Sequence, residues 1–274
     1  MLQQQSQSPT RAAAPSQGPS PARKPATGAG NAAAAEAVAK KQEAEAAVDL
    51  ARRPGGPAQG PTPEADGDAS APPIHVGPDA FVRQGLSAEV FGLALTAFRK
   101  AWTARQTTKS IFTVIDFSQP SDQKRMYVID LAEGKLLFHE LVTHGSGSGG
   151  RMATDFSNRS GSNQSSLGLA RTAETYQSAK FGGTALRIDG LEPGFNDQMR
   201  DRAVVMHQAD YATPAAIAAN KAGGVSRLGR SQGCPAMDPK VAGKVIETVK
   251  NGTLIFTYAP DPNYLAKSAY LQGR

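Results

Sequence analysis

After Ser87 the large apolar residues recur at helical spacing. Phe91, Leu95, Phe98 and Trp102 follow one another at steps of four, three and four, which lines them along one helical face. Ser87 is the expected N-cap, and the aromatic face is expected to pack on a sheet. The rhythm then changes to β-branched and aromatic runs over 111–117 (IFTVIDF), 126–131 (MYVIDL) and 136–142 (LLFHELV). Ala132-Glu133-Gly134-Lys135 joins the last two as a tight hairpin, and 186–191, 203–207 and 254–258 supply further strands. Thr213-Pro214 and Asp238-Pro239 each set an N-cap before a proline at the first helical position. The helices that they start are expected to end near Gly223-Gly224 and Asn251-Gly252. Hairpins dominate and helices are few, so the pattern predicts a β-rich α+β domain, a mostly antiparallel sandwich or barrel-like fold.

Before Ile74 this grammar is missing. The first 73 residues hold no Phe, Trp, Tyr or Ile, and only Leu2, Val38, Val48 and Leu50 as larger aliphatics. So little apolar surface cannot offset an ordering cost of about 1–2 kcal/mol per residue. Residues 1–30, rich in Pro, Ser, Ala and Gln, read as a flexible tether. Asn31 precedes an Ala/Glu/Lys-rich stretch of high helix propensity but no apolar stripe, a solvated helix or spacer. The expected organisation is a disordered tail over 1–73 and one folded domain over 74–274.

Charge and composition then remove whole classes of function. The net charge is +6, yet the tail balances seven basic against seven acidic groups, so the excess belongs to the folded part. That excess suits an anionic polymer such as cell wall. It forms no basic stripe with interleaved aromatics, which argues against nucleic acid. No apolar run approaches the ~18–20 residues of a membrane span, and the first residues show neither a basic nor an apolar signal region. One cysteine excludes an intrachain disulfide framework, and the four histidines lack metal-ligand spacing.

Two loops carry candidate chemistry. Gly145-Ser146-Gly147-Ser148-Gly149-Gly150 contains G-x-G-x-x-G, but the turn-rich stretch behind it offers no helix to cradle a pyrophosphate. A P-loop fails too, because Arg151-Met152 stands where Lys-Ser/Thr is needed. The loop therefore reads as a surface segment or the border of a cleft. The second loop is Gly229-Arg230-Ser231-Gln232-Gly233-Cys234-Pro235. Gly233 lets backbone approach a substrate and Pro235 biases Cys234 towards an extended conformation. Arg230 and the amides of Ser231, Gln232, Gly233 and Cys234 make an electropositive setting of the kind that lowers a thiol pKa from ~8.5. A nucleophilic thiol needs a base; His207 and His144, both at strand ends, compete for that role, while His139 lies mid-strand and His75 beside the tail.

At this point a resemblance becomes specific. Residues 111–258 resemble the L,D-transpeptidase (YkuD-like) catalytic-domain family, in its murein branch with an Arg-Ser-x-Gly-Cys-Pro-Ala ending. The matching pieces run in the family's order: residues 125–130 (RMYVID), His144-Gly145 with its glycine/serine run, Phe156-Ser157-Asn158, residues 165–168 (SSLG), residues 186–190 (LRIDG), residues 207–211 (HQADY) and residues 228–236 (LGRSQGCPA). The resemblance implies a β-sandwich carrying the cysteine loop, with Cys234 as nucleophile and His207 as base. It implies an oxyanion hole around Gly233, Gln232 and Ser231, no cofactor, peptidoglycan stem peptides as partner, and a periplasmic or cell-envelope location. Two departures stand out: Gln232 replaces the family's usual His, and Pro235-Ala236 replace an aliphatic-Arg pair. Arg230 and Arg171 are the expected substitutes in binding the donor, with His144 and Tyr211 lining the cleft. The same site serves an L,D-carboxypeptidase or an exported cell-wall-targeting toxin, and a wall-binding module with a structural cysteine is the alternative of another class.

Overall fold

The computed structural model describes residues 71–272. The expected tail over 1–73, with its solvated helix after Asn31, lies outside the described residues except for 71–73. Helix α1 (Ala88–Thr103) starts where Ser87 accepts a hydrogen bond from the Val90 amide. Its buried face holds Val90, Phe91, Leu95 and Phe98 and packs on strands β1 (Ile111–Asp116) and β8 (Leu254–Tyr258). Phe98 meets Phe112 of β1 at 5.1 Å between ring centroids. Each such side chain, fully buried, contributes about 1.5–3 kcal/mol.

Eight strands form one ladder in the order β3-β2-β1-β8-β4-β5-β6-β7. β1, β2 (Met126–Asp130) and β3 (Lys135–Glu140) make an antiparallel meander. A second antiparallel run joins β4 (Gly168–Ser178), β5 (Gly183–Gly190) and β6 (Val205–Gln208). β8 knits the two together, parallel to β1 and antiparallel to β4. The β-rich, mostly antiparallel domain with few short helices is what the hydrophobic pattern predicts. The pattern misses β4, the longest strand, because its buried positions other than Leu169 are small or polar. Thr172, for example, is buried with its hydroxyl donating to the Val249 carbonyl at 2.7 Å.

Helices α2 (Pro214–Ala222) and α3 (Pro239–Val249) begin at Thr213 and Asp238 as expected, each N-cap side chain accepting a backbone N–H. The short α4 (Pro262–Lys267) starts at Asp261-Pro262, the same signal, overlooked in the sequence. Among the described residues no helix is long and apolar enough to cross a membrane. The two-residue strand β7 (Ala236–Met237) pairs in parallel with β6, His207 opposite Ala236. That register positions the site: two residues back along both strands, Val205 comes opposite Cys234.

Candidate active site

Cys234 is 5% exposed and unbridged, packed with Phe181, Ala185 and Val205. The Val205 amide donates to its Sγ at 3.5 Å, and the thiol points at the Ala203 carbonyl 3.8 Å away. Ala203 itself sits at a φ of 54°, an uncommon conformation for a residue with a side chain. The cysteine loop is pinned from several sides. Ser231 Oγ donates to the Cys234 carbonyl at 2.7 Å and accepts the Gly233 amide at 3.0 Å. Thr143 donates its hydroxyl to the Cys234 carbonyl and its amide to the Ala236 carbonyl. Gly233 has a φ of 120° and lies so close to the 157–166 segment that a Cβ would stand 2.7 Å from the Gln164 carbonyl oxygen.

His207 lies within β6 and is 1% exposed, where the sequence placed it at a strand end facing a cleft. Phe181, from the turn between β4 and β5, stacks on its ring at 3.8 Å between centroids. The imidazole Nδ1 is 2.8 Å from the Gln208 carbonyl oxygen. A carbonyl only accepts, so Nδ1 carries the proton and Nε2 keeps the lone pair. That Nε2 is buried and has no hydrogen-bond partner. Burial, opposed by the Gln208 hydrogen bond and reinforced by the positive charge of Lys180, pushes His207 down to about 4. The resting imidazole is a neutral base with its lone pair unengaged.

His144 is arranged the other way. Arg125 is wholly buried and donates to the Val142 and Gln119 carbonyls and, at 2.8 Å, to His144 Nδ1. An arginine only donates, so the His144 proton is on Nε2 and points at the Gly149 carbonyl. Burial and the Arg125 charge take His144 down to about 3. Both ring nitrogens are engaged, Nδ1 by Arg125 and Nε2 by the Gly149 carbonyl of the glycine loop. That loop runs beside the cysteine loop: Ser146 donates its amide to the Ser231 carbonyl, and the Ser231 amide donates to the His144 carbonyl. Gly145 is a steric necessity, since a Cβ there would collide with the Asn163 carbonyl. The segment thus lies against the cysteine loop.

Residues 82–258 match the family described as the L,D-transpeptidase catalytic domain, well over half of the chain. The chain belongs to this family. Solved structures of L,D-transpeptidases also match: one from Mycobacterium smegmatis at 15% identity and TM-score 0.33, covering 55% of this chain and 59% of that one. Another, from Enterococcus faecium, matches at 13% identity and TM-score 0.33, covering 61% and 64%. L,D-transpeptidase 3 from Mycobacterium tuberculosis matches at 14% and 0.31, covering 55% and 61%. The chain thus spans less than two thirds of the length of these structures. No curated protein matches.

Within the L,D-transpeptidase domain the remaining expected residues separate. Arg230 donates one nitrogen to the Ser146 and Gly149 carbonyls, at 3.2 and 2.8 Å, and so straps the glycine loop to the cysteine loop. Tyr211 packs against Gly229, where a Cβ would stand 2.5 Å from its own, and supports the base of the loop. Arg171 is not brought to the site. The β4 register sets it opposite Asp189 of β5 and Leu254 of β8, two strands from β6. Sequence reasoning missed Phe181 and Arg202, neither of which lies in a quoted motif, and the Gln208 carbonyl, a backbone group that the 207–211 stretch does not single out. Arg202 donates to the Ser157 and Gln164 carbonyls and to the Ser162 and Ser166 hydroxyls, tying the 157–166 segment together.

The two buried imidazoles predict acid sensitivity of the L,D-transpeptidase domain. Their folded values, about 4 and about 3, lie below the ~6.5 of an unfolded histidine. The unfolded chain therefore binds more protons as pH falls below about 6.5, and stability drops with it. At pH 5 the loss reaches up to about 2 kcal/mol per histidine, at about 1.4 kcal/mol per pH unit. Thermal midpoints measured at pH 7 and pH 5 are expected to fall clearly. A constant midpoint would show that the rings are not buried as neutral bases.

Proposed function

We propose that this domain is a cysteine-dependent L,D-transpeptidase acting on tetrapeptide stems of peptidoglycan in the periplasm or cell envelope. The observation that carries the reading is a thiol that accepts the Val205 amide, with a buried imidazole nitrogen that has no hydrogen-bond partner two residues further along that strand. Nε2 of His207 takes the Cys234 proton as sulfur attacks the carbonyl before the terminal D-Ala. The Gln208 carbonyl stabilises the imidazolium that forms through the proton on Nδ1. The oxyanion is assigned to the loop amides of Gln232, Gly233 and Cys234, each such donor contributing roughly 10²–10³ in rate. In the resting site the Gly233 amide donates to Ser231 Oγ, so its use requires that this bond be exchanged.

The carbon–nitrogen bond then breaks, His207 returns the proton to the departing D-Ala amine, and a thioester on Cys234 remains. An amine from a second stem attacks the thioester, giving a 3–3 cross-link and restoring the thiol. Water in that step makes an L,D-carboxypeptidase, and a free D-amino acid makes an exchange enzyme. Burial of Cys234 beneath Phe181 favours an acceptor that is delivered to the thioester over bulk water. The departures from the family ending leave donor carboxylate binding to residues other than one after Pro235. Arg230 remains the proposed contact from the cysteine loop.

Incubation of the full chain with disaccharide-tetrapeptide, read by mass, tests the reading. The expected product is a dimer that has lost one D-Ala. Tripeptide alone would assign the carboxypeptidase. Unaltered substrate would leave a wall-binding module with a structural cysteine.

A further inference from the structure

Around Cys234 the charged groups are unequally engaged. On the cysteine loop, Arg230 holds the glycine-loop carbonyls. On β5, Arg187 pairs with Glu174 and lies over the Tyr176 ring. Lys180, in the β4–β5 turn, lies over the Phe181 ring and bears on His207. Beyond β3, His144 is neutral and bonded to Arg125 of the β2 entry. His207 on β6 is also neutral at rest. Arg202 lies in the turn before β6. Its four hydrogen bonds go to neutral oxygens, and it makes no ion pair with a carboxylate among the described residues.

Its place matters as much as its partners. Arg202 Nη2 stands 3.4 Å from where a Gly233 Cβ would project, immediately before Cys234 in the chain. The backbone that follows it wraps the thiol, with the Ala203 carbonyl and the Val205 amide both directed at Sγ. A guanidinium on neutral acceptors retains its full positive charge for a nearby anion. A lysine in that place would be a mobile point charge and could not hold four acceptors at once.

We propose that Arg202 is a positioning residue that stabilises the Cys234 thiolate while it clamps the 157–166 segment over the cysteine loop. A neutral His207 accepts the proton but offers no standing positive charge to the sulfur; Arg202 provides it. The reciprocal effect agrees: burial lowers Arg202 below the ordinary arginine range, and the Cys234 charge raises it again. In this arrangement the arginine missing after Pro235 is answered by one 32 residues upstream of Cys234, and its target is the nucleophile.

The inference rests on Cys234 being the nucleophile, and its test reads the thiol without turnover. Cys234 is the only cysteine in the chain, so thiolate absorbance, with Cys234→Ala as blank, reports one group. The titration midpoint of the unaltered protein is expected below the ordinary ~8.5 of a thiol. In Arg202→Gln the midpoint rises by at least one pH unit, which is about ten-fold less thiolate at a pH below it. Arg202→Lys recovers part of that shift, and a melting curve confirms that each variant is folded. A midpoint unmoved in a folded Arg202→Gln overturns the proposal and passes the charge to His207. A midpoint at or above ~8.5 in the unaltered protein overturns it even where no variant folds. Activity surviving in Cys234→Ala would remove the functional reading and leave the titration result standing.

Discussion

Cys234→Ala removes all measurable turnover of tetrapeptide stems and leaves the domain folded. In a covalent mechanism the nucleophile acts as part of a unit, and its removal lowers kcat by roughly 10⁶. The fold tolerates the change, because the sulfur sits in a small apolar cluster and the N–H bond that it accepts from Val205 is weak. A loss of about 1 kcal/mol covers that bond and the small void. Cys234→Ser is equally inactive: a hydroxyl in this place is a far weaker nucleophile, and His207, lowered to about 4, is too weak a base to activate it. Mass spectrometry after mixing with substrate is expected to show a thioester adduct on the unaltered chain and none on either variant. A tenth of the activity retained in Cys234→Ala would place the nucleophile elsewhere.

The second large effect separates the two histidines. His207→Ala is expected to lower acylation by ~10²–10⁴, the usual contribution of general acid–base catalysis. His144→Ala is expected to lower it less and to unsettle the fold more, since it strips Arg125 of an acceptor and leaves the Gly149 carbonyl to Arg230 alone of these two donors. A buried arginine left short of partners is costly, about 1–3 kcal/mol or more. The pH profile adds an independent check. A protonated His207 accepts nothing, so kcat/KM is expected to stay level from pH 7 to about 5 and to fall through about 4. An acid limb near 6.5, or equal losses in folded variants of both histidines, would exchange their roles.

Much of the fold was legible because it rests on local rules. The aromatic face of α1, the β-branched runs of β1 and β2 and the Asp/Thr-Pro starts of α2 and α3 state their own backbone conformations. β4 was not legible: its Thr, Ala and Gly residues are buried by pairing on both edges, with β5 and β8, and not by a hydrophobic alternation. Arg171 failed as a site residue for a related reason, since its chain position says nothing about which strand lies beside β4.

The sequence by itself determined that large apolar residues are nearly missing before Ile74, that a β-rich domain follows, and that one thiol sits in a Gly/Pro-shaped loop. It also narrowed the base to His207 and His144, two strand-end imidazoles in similar local settings. Only the tertiary structure distinguished their states. Arg125 reaches across from β2 to occupy one nitrogen of His144, while Phe181 and the Gln208 carbonyl leave Nε2 of His207 buried and open. It likewise brought Arg202 to Gly233 across 31 positions of chain. Periodicity and capping report what a residue does to its own backbone. The proton position on an imidazole and the charge beside a thiol depend on donors and acceptors far away in sequence, and those meet only when the sheet is assembled.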